Sequence, residues 1–321
     1  MDALTPLSGQ VAVITGAGAG IGRGHALELA RRGARIVVVD RDPAGAETVV
    51  EEVRAGGGDA IAHIADVSTP EGGASVSESA LDAFGRLDII VNNAGIVRNG
   101  YFEDLAVHDI REILAVHVEA AFYVTQPAWR LLREQGYGRV VFTSSGAGVF
   151  GYQGMANYSA AKAAIFGLTR SLAFEARDID LKVNCILPIA TTGILAADPV
   201  RDGAKYAAEF TPAGFDPSLV GNRRSPDIPS RIVSMLVSKE CPTSGEAYSI
   251  SYGRFSRVFV AETPGWLAPD VDALSAEDVL SHFAEIADGR RILDFGSLHE
   301  EGAYSMSRLM EAEAERAPGF P

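Results

Sequence analysis

A chain of 321 residues, 47% hydrophobic and 22% charged, can bury well over half of its unfolded surface in one large domain or two small ones, so core size is not limiting. Its formal net charge of −14 argues against a nucleic-acid partner, which calls for a basic surface, and two cysteines, Cys185 and Cys241, do not make a disulfide framework. The N-terminal "MDALTPLSGQ" has no basic-then-apolar leader and no apolar run reaches the roughly 18 residues of a membrane span, so a cytoplasmic protein is expected.

Along the chain, short apolar runs alternate with helix-like segments. The runs are VAVIT (11–15), RIVVVD (35–40), AIAHIADV (60–67), LDIIVNNA (87–94), RVVFTSS (139–145) and LKVNCILP (181–188). Their near-continuous hydrophobicity marks strands buried on both faces. Segments such as GIGRGHALELARRG and YSAAKAAIFGLTRSLAFEAR, between them, carry apolar residues at helical spacing. Strand then helix, repeated, predicts an α/β fold with right-handed crossovers and a doubly wound, mostly parallel sheet. EAYSISYG (246–253) adds an edge strand, for seven in all, and closes a domain over 1–253.

Two regions break the rhythm. Residues 189–229, rich in Gly and Pro, follow a strand directly and are expected to be a substrate loop. Within them Arg223-Arg224 reads either as a solvated charge pair or as a contact for phosphates. Residues 254–321 are expected to be a helical extension packed on the domain or on a partner subunit, with a capped amphipathic helix from Ser275 to Gly289.

TGAGAGIG (15–22) follows the first strand and opens a helix. Glycines there let backbone approach a pyrophosphate while free N–H groups point at it. Gly16, Gly18, Gly20, Ile21 and Gly22 are the expected cradle. Asp40 ends the second strand, where a carboxylate accepts hydrogen bonds from a ribose and repels a 2′-phosphate, which favours NAD. Arg41, next in line, is suited to the 2′-phosphate of NADP instead. Asp66 and Val67 end the third strand near the expected adenine, and Asn93, Ala94 and Gly95 belong to the NNAG that ends the fourth.

In SSGAGVFGYQGMANYSAAK, Tyr158 and Lys162 sit four apart on one helical face, and Ser145 ends the strand before them. A tyrosine of ordinary pKa near 10 is a poor proton shuttle at neutral pH, whereas a neighbouring ammonium and a cationic nicotinamide favour its phenolate. Lys162 is expected to supply that charge and to reach the nicotinamide ribose, and Ser145 to hold the substrate oxygen.

With these motifs the sequence resembles the short-chain dehydrogenase/reductase family from Gly9 to about Gly253. The resemblance implies a Rossmann-type fold, a nicotinamide cofactor, a Ser-Tyr-Lys catalytic group, and a homodimer or homotetramer built through the helices around AAKAAIFGLTRSLAFEA and AAFYVTQPAWRLLREQ. The chain departs from the family pattern twice. The common Asn, 22 residues beyond the Gly of NNAG, is His117, expected to face the sheet in a stripe with Ile110, Ile113, Leu114 and Ala121. The common Pro-Gly after the sixth strand is Pro188-Ile189, leaving Thr191 or Thr192 for the cofactor.

Both departures resemble the dehydrogenase part of peroxisomal multifunctional enzymes of type 2 and their bacterial relatives. That likeness implies NAD-dependent oxidation of a (3R)-hydroxyacyl-CoA, or of a steroid alcohol, with His117 passing on the released proton. A 3-oxoacyl or ketone reductase using NADPH is the enzymatic alternative; a catalytically silent nucleotide-binding scaffold is the alternative of another class.

Overall fold

β1 (Val11–Thr15) is buried at every position, as a strand of a parallel sheet covered on both faces must be. In the computed structural model, which describes residues 6–191 and 211–316, β1 lies inside a sheet ordered β3-β2-β1-β4-β5-β6-β7-β8. The other strands are β2 (Arg35–Asp40), β3 (Ala60–Ile64), β4 (Ile89–Asn92), β5 (Tyr137–Thr143), β6 (Asp180–Pro188), β7 (Ala247–Ser251) and β8 (Arg254–Val258). From β3 to β7 every neighbouring pair is parallel. The chain runs outward from β1 through β2 to β3, then returns to place β4 on the other side of β1. That reversal opens a crevice beyond the carboxyl ends of β1 and β4, where such sheets bind ligands.

The helices are α1 (Gly20–Arg31), α2 (Pro43–Ala55), α3 (Pro70–Phe84), α4 (Val107–Leu114), α5 (Ala120–Gln135), α6 (Gly146–Phe150), α7 (Ala156–Glu175) and α8 (Pro229–Leu236). Their ends follow local chemistry. Asp42 caps α2 by accepting from Ala44 and Gly45 N–H, and Thr69 caps α3 by accepting from Gly72 N–H, each followed by a proline at the first helical position.

The sheet has one strand more than the seven expected. Tyr252 and Gly253 both adopt positive φ, 51° and 80°, the geometry of a two-residue hairpin turn. So tight a turn sends β8 back antiparallel beside β7, and Arg254–Val258, expected outside the sheet, belong to it.

The chain divides into two compact units, Met1–Arg257 and Val258–Pro321. The second unit contains α9 (Ala276–Ser281), α10 (Phe283–Ile286) and α11 (Leu298–Arg316). The single helix expected from Ser275 to Gly289 begins as foreseen, with a reciprocal capping box between Ser275 and Asp278. It breaks at His282, whose ψ is 6° and whose ring stacks on Trp266 at 3.9 Å between centroids. Among the described residues no helix is long and apolar enough to cross a membrane.

Candidate active site

Thr15 ends β1 with its hydroxyl turned toward β4. Its Oγ1 accepts from the backbone N–H groups of Asn93 and Ala94, both at 3.0 Å. The Asn93 carboxamide donates back to the carbonyls of Thr15 (3.0 Å) and Gly16 (3.3 Å). These four bonds stitch the two strand ends at the crevice.

The glycine turn is built without room for side chains. A Cβ on Gly22 would lie 2.2 Å from the Gly16 carbonyl oxygen, and one on Gly16, whose φ is +64°, would lie 2.8 Å from Ala94 Cα. Ala19 offers α1 no side-chain cap, so the first N–H groups of the helix, from Gly20, Ile21 and Gly22 onward, are open to an anion. Gly18 N–H donates to Asp40 Oδ2 at 2.8 Å and Asp42 N–H to Asp40 Oδ1 at 3.0 Å, which fixes the carboxylate at the end of β2. Arg41 beside it is exposed.

Asp66 lies two residues beyond β3, in a loop rather than on the strand. Its carboxylate accepts from Ser68 N–H and Oγ–H, and chiefly the Ser68 hydroxyl holds its pKa below the usual range. Val67, next to it, is buried. After β6, Ile189 N–H donates to the Ile250 carbonyl and Thr191 N–H to the Arg224 carbonyl, both at 2.8 Å. Thr192 lies outside the described residues.

Ser145 stands at the head of α6, a short helix that the strand pattern of RVVFTSS did not reveal. Its Oγ accepts from Ala147 N–H at 3.2 Å, and Ser145 stands near enough to the Tyr158 phenol to pull its pKa down. Tyr158 and Lys162 lie in the first turns of α7. Lys162 is buried, donates to the Thr143 carbonyl at 2.6 Å, and keeps its Nζ 5.6 Å from the Tyr158 ring centroid. Burial lowers its pKa to about 7. The expectation that Lys162 draws the Tyr158 phenol down is not met in the protein alone. Burial pushes the phenol above its ordinary value, and Ser145 is the opposing pull.

His117 occupies a π-helical turn, Ala115–Glu119, between α4 and α5. The wider turn advances the helix phase. His117 and Ala121 are therefore buried with Ile113, while Leu114, expected in the same stripe, is 37% exposed. His117 Nε2 lies 2.8 Å from the Ile96 carbonyl, and Nδ1 is buried without a protein partner, as is the Thr143 hydroxyl. Both residues line a cavity of about 10 Å³ together with Thr15, Ala94 and Lys162, the size of one water. Burial first, and then the charge of Lys162, hold the His117 pKa well below its usual value. Gly95 makes room for the ring, since a Cβ there would lie 2.6 Å from His117 Cε1.

Sequence reasoning missed Asn157. Its Oδ1 accepts from Tyr158 N–H at 2.8 Å, and its Nδ2 donates to the Arg98 carbonyl at 3.0 Å. Arg98 in turn makes a two-pronged ion pair with Glu112 of α4. The three residues lock the helix of Tyr158 to the segment between β4 and α4. An asparagine beside a tyrosine carries no sequence signal of that long-range role.

Across these positions the sequence matches the family model described as short chain dehydrogenase, over residues 10–200. The chain belongs to the short-chain dehydrogenase family. A short-chain type dehydrogenase/reductase of Mycobacterium tuberculosis is 35% identical over 297 residues, 89% of this chain and 97% of the relative. The peroxisomal multifunctional enzyme type 2 of Drosophila melanogaster is 33% identical over 303 residues, 91% of this chain but 47% of that protein. The solved structure of that enzyme at full length superposes with a TM-score of 0.77 at 28% identity, covering 95% of this chain and 50% of the other. The chain thus spans about half of the multifunctional enzyme. The 3-oxoacyl-[acyl-carrier-protein] reductase of Synechocystis is 38% identical over 211 residues, 65% of this chain and 84% of the relative. The nicotinamide dinucleotide that the family uses fits the chemistry of the turn, with its uncapped helix end and its glycines closed to side chains.

Proposed function

We propose that the protein oxidises the secondary hydroxyl of a (3R)-hydroxyacyl-CoA to the 3-oxoacyl-CoA, with NAD as the hydride acceptor. The observation that carries this reading is the packing of Tyr158 between Lys162, whose Nζ is 5.6 Å from its ring centroid, and His117, which meets the ring edge-on, with Ser145 acting on the phenol to lower its pKa. In this reading Gly16, Gly18, Gly20, Ile21 and Gly22 would hold the NAD diphosphate, Asp40 its adenosine ribose, Asp66 and Val67 the adenine, and Asn93 to Gly95, Pro188, Ile189 and Thr191 its nicotinamide half. The nicotinamide, when bound, takes the hydride.

Ser145 orients the substrate oxygen and Tyr158 removes its proton. Lys162 would hold the nicotinamide ribose, and only with the cofactor in place would its charge work against the burial that keeps the phenol protonated. His117, uncharged, organises the proton's exit beside the cavity it shares with Lys162. Steady-state oxidation of (3R)-hydroxyacyl-CoA esters of graded length, set against hydroxysteroids and simple secondary alcohols, tests the reading; no turnover of any acyl-CoA would sink it.

A second reading, reduction of a 3-oxoacyl thioester with NADPH, draws support from exposed Arg41 and from the relative named as a 3-oxoacyl reductase. Both cysteines are buried and unpaired, in keeping with a reducing compartment such as the cytoplasm, though several relatives are named peroxisomal. We further assign α5 and α7 to a dimer or tetramer contact, since Ala160, Ala163, Ala164 and Gly167 leave an exposed stripe on α7 that backbone of a second copy can approach closely.

A further inference from the structure

The turn leading into α8 carries two adjacent arginines. Arg223 and Arg224 end a 3₁₀ turn, Gly221–Arg224, and neither makes an ion pair among the described residues. Two like charges side by side repel each other, and a bound anion relieves that repulsion. In a chain of net charge −14, acidic groups are abundant, yet among the described residues none is paired with them.

The local construction holds Arg224 in place, while Arg223 beside it is exposed. Arg224 stacks its guanidinium over the Tyr252 ring, 5.9 Å from the centroid, and its Nε is buried without a hydrogen-bond partner. A guanidinium held over a ring keeps its plane, and with Nε closed off its two Nη groups are the ones that can meet an anion. Tyr252 is the only non-glycine with positive φ among the described residues, a strained setting for a bulky side chain. Arg223 reaches the same hairpin turn, its Nη1 lying 3.4 Å from where a Cβ of Gly253 would be.

The pair also stands in the right place. Pro188 of β6 is in register with Ile250 of β7, and Thr191 N–H donates to the Arg224 carbonyl, so the turn sits at the ligand-binding edge of the sheet. On its other side the same segment packs on α1, where a Cβ on Gly24 would lie 3.0 Å from the Pro226 carbonyl oxygen. It therefore bridges the helix that opens the glycine turn and the strand ends that border the catalytic group.

We propose that Arg223 and Arg224, backed by Tyr252, form a binding site for the diphosphate of an adenosine-diphosphate-bearing ligand. Guanidinium groups recognise phosphate oxygens in pairs of charge-assisted hydrogen bonds. Two molecules of the proposed reaction carry that diphosphate, the CoA thioester and the dinucleotide, and only the CoA source rests on the proposed acyl-CoA activity.

The test compares the full-length wild type with R223M/R224M and with R223K/R224K. Calorimetric titration with CoA and, separately, with NADH gives the two dissociation constants. Kinetics with the same (3R)-hydroxyacyl group on CoA and on N-acetylcysteamine, which lacks phosphates, show which source matters. For CoA, the methionine pair weakens CoA binding and raises the KM of the CoA thioester about tenfold to a hundredfold, leaving the N-acetylcysteamine ester unchanged. For the dinucleotide, NADH binding weakens by a similar factor and both thioesters suffer alike. Either result supports the site.

Changes below about twofold in both dissociation constants overturn it. So does a lysine pair as weak as the methionine pair with an equally lowered Tm, because that traces the loss to folding. Arginine-dependent CoA binding without turnover of any hydroxyacyl ester keeps the site and removes the acyl-CoA dehydrogenase reading.

Discussion

The imidazole of His117 meets the ring of Tyr158 edge-on, with centroids 5.2 Å apart and planes at 86°. The contact ties the π-helical turn to the proposed base, and it is made by a ring that stays uncharged, since burial and the Lys162 charge keep its pKa well down. An uncharged His117 adds no inflection to the pH profile of oxidation. We expect His117→Asn to lower kcat while keeping every inflection of the wild-type profile between about pH 5 and 8. An inflection near neutrality that vanishes in the variant would show that His117 titrates. Tyr158→Phe, which removes the base itself, is expected to lower kcat by about a hundredfold or more.

Gly95→Ala probes the same ring from behind. The new Cβ would lie 2.6 Å from His117 Cε1, closer than carbon atoms tolerate, so the ring must shift off Tyr158. The expected result is a fall in kcat larger than the loss of NADH affinity by fluorescence titration, a loss to which Gly95 contributes as part of the proposed cofactor site. Unchanged kcat would show that the ring's placement is not used.

How much of this was legible beforehand depends on range. The seven apolar runs each gave a strand, most sharply for β1, β2 and β6, where burial on both faces leaves a strong local pattern; the strands expected through Val67 and Ser145 end earlier, at Ile64 and Thr143. RFSRV (254–258) hid the eighth strand, for its edge position leaves it half exposed and its turn places a tyrosine at positive φ. Ser145, Tyr158 and Lys162 were readable from spacing, and the structure brings them together at the end of β5. The π-helical turn was not readable, since one extra residue per turn leaves no mark in an apolar segment. Nor was the Asn157, Arg98 and Glu112 chain, whose bonds span 59 and 14 positions and so exist only after folding.

Asp40 is the test of cofactor choice. Its carboxylate is fixed by the N–H groups of Gly18 and Asp42, and a 2′-phosphate brought there meets negative charge with Arg41 alongside. In Asp40→Ala we expect the ratio of kcat/KM for NAD over NADP to fall about tenfold or more. A ratio that does not move would remove Asp40 from the cofactor site.

The proposed oligomer is tested at Gly167, where an added Cβ meets nothing within 4 Å. Gly167→Arg is therefore compatible with the folded protomer but not with a partner packed against that stripe. Light scattering is expected to show the wild type as a dimer or tetramer and the variant shifted toward monomer. A monomeric wild type at micromolar concentration would end this assignment.

Acid sensitivity should trace in part to His25, which joins α1 to α8 through a 2.8 Å contact between its Nδ1 and Ser230 Oγ. The ring is fully buried, its Nε2 has no partner, and burial lowers its pKa from 6.5 to about 3. Below 6.5 the unfolded chain takes up a proton that the folded protein refuses until about pH 3. The associated stability is present above the unfolded value and is lost as pH falls through that window, at up to about 1.4 kcal/mol per pH unit for one proton. His25→Asn keeps a hydrogen-bonding group near Ser230 but cannot titrate. Its unfolding free energy, measured in urea from about pH 7 down to 5, should fall less steeply than that of wild type by close to one proton. Parallel slopes would assign the acid sensitivity to other groups, among them His117, whose depressed pKa acts in the same direction.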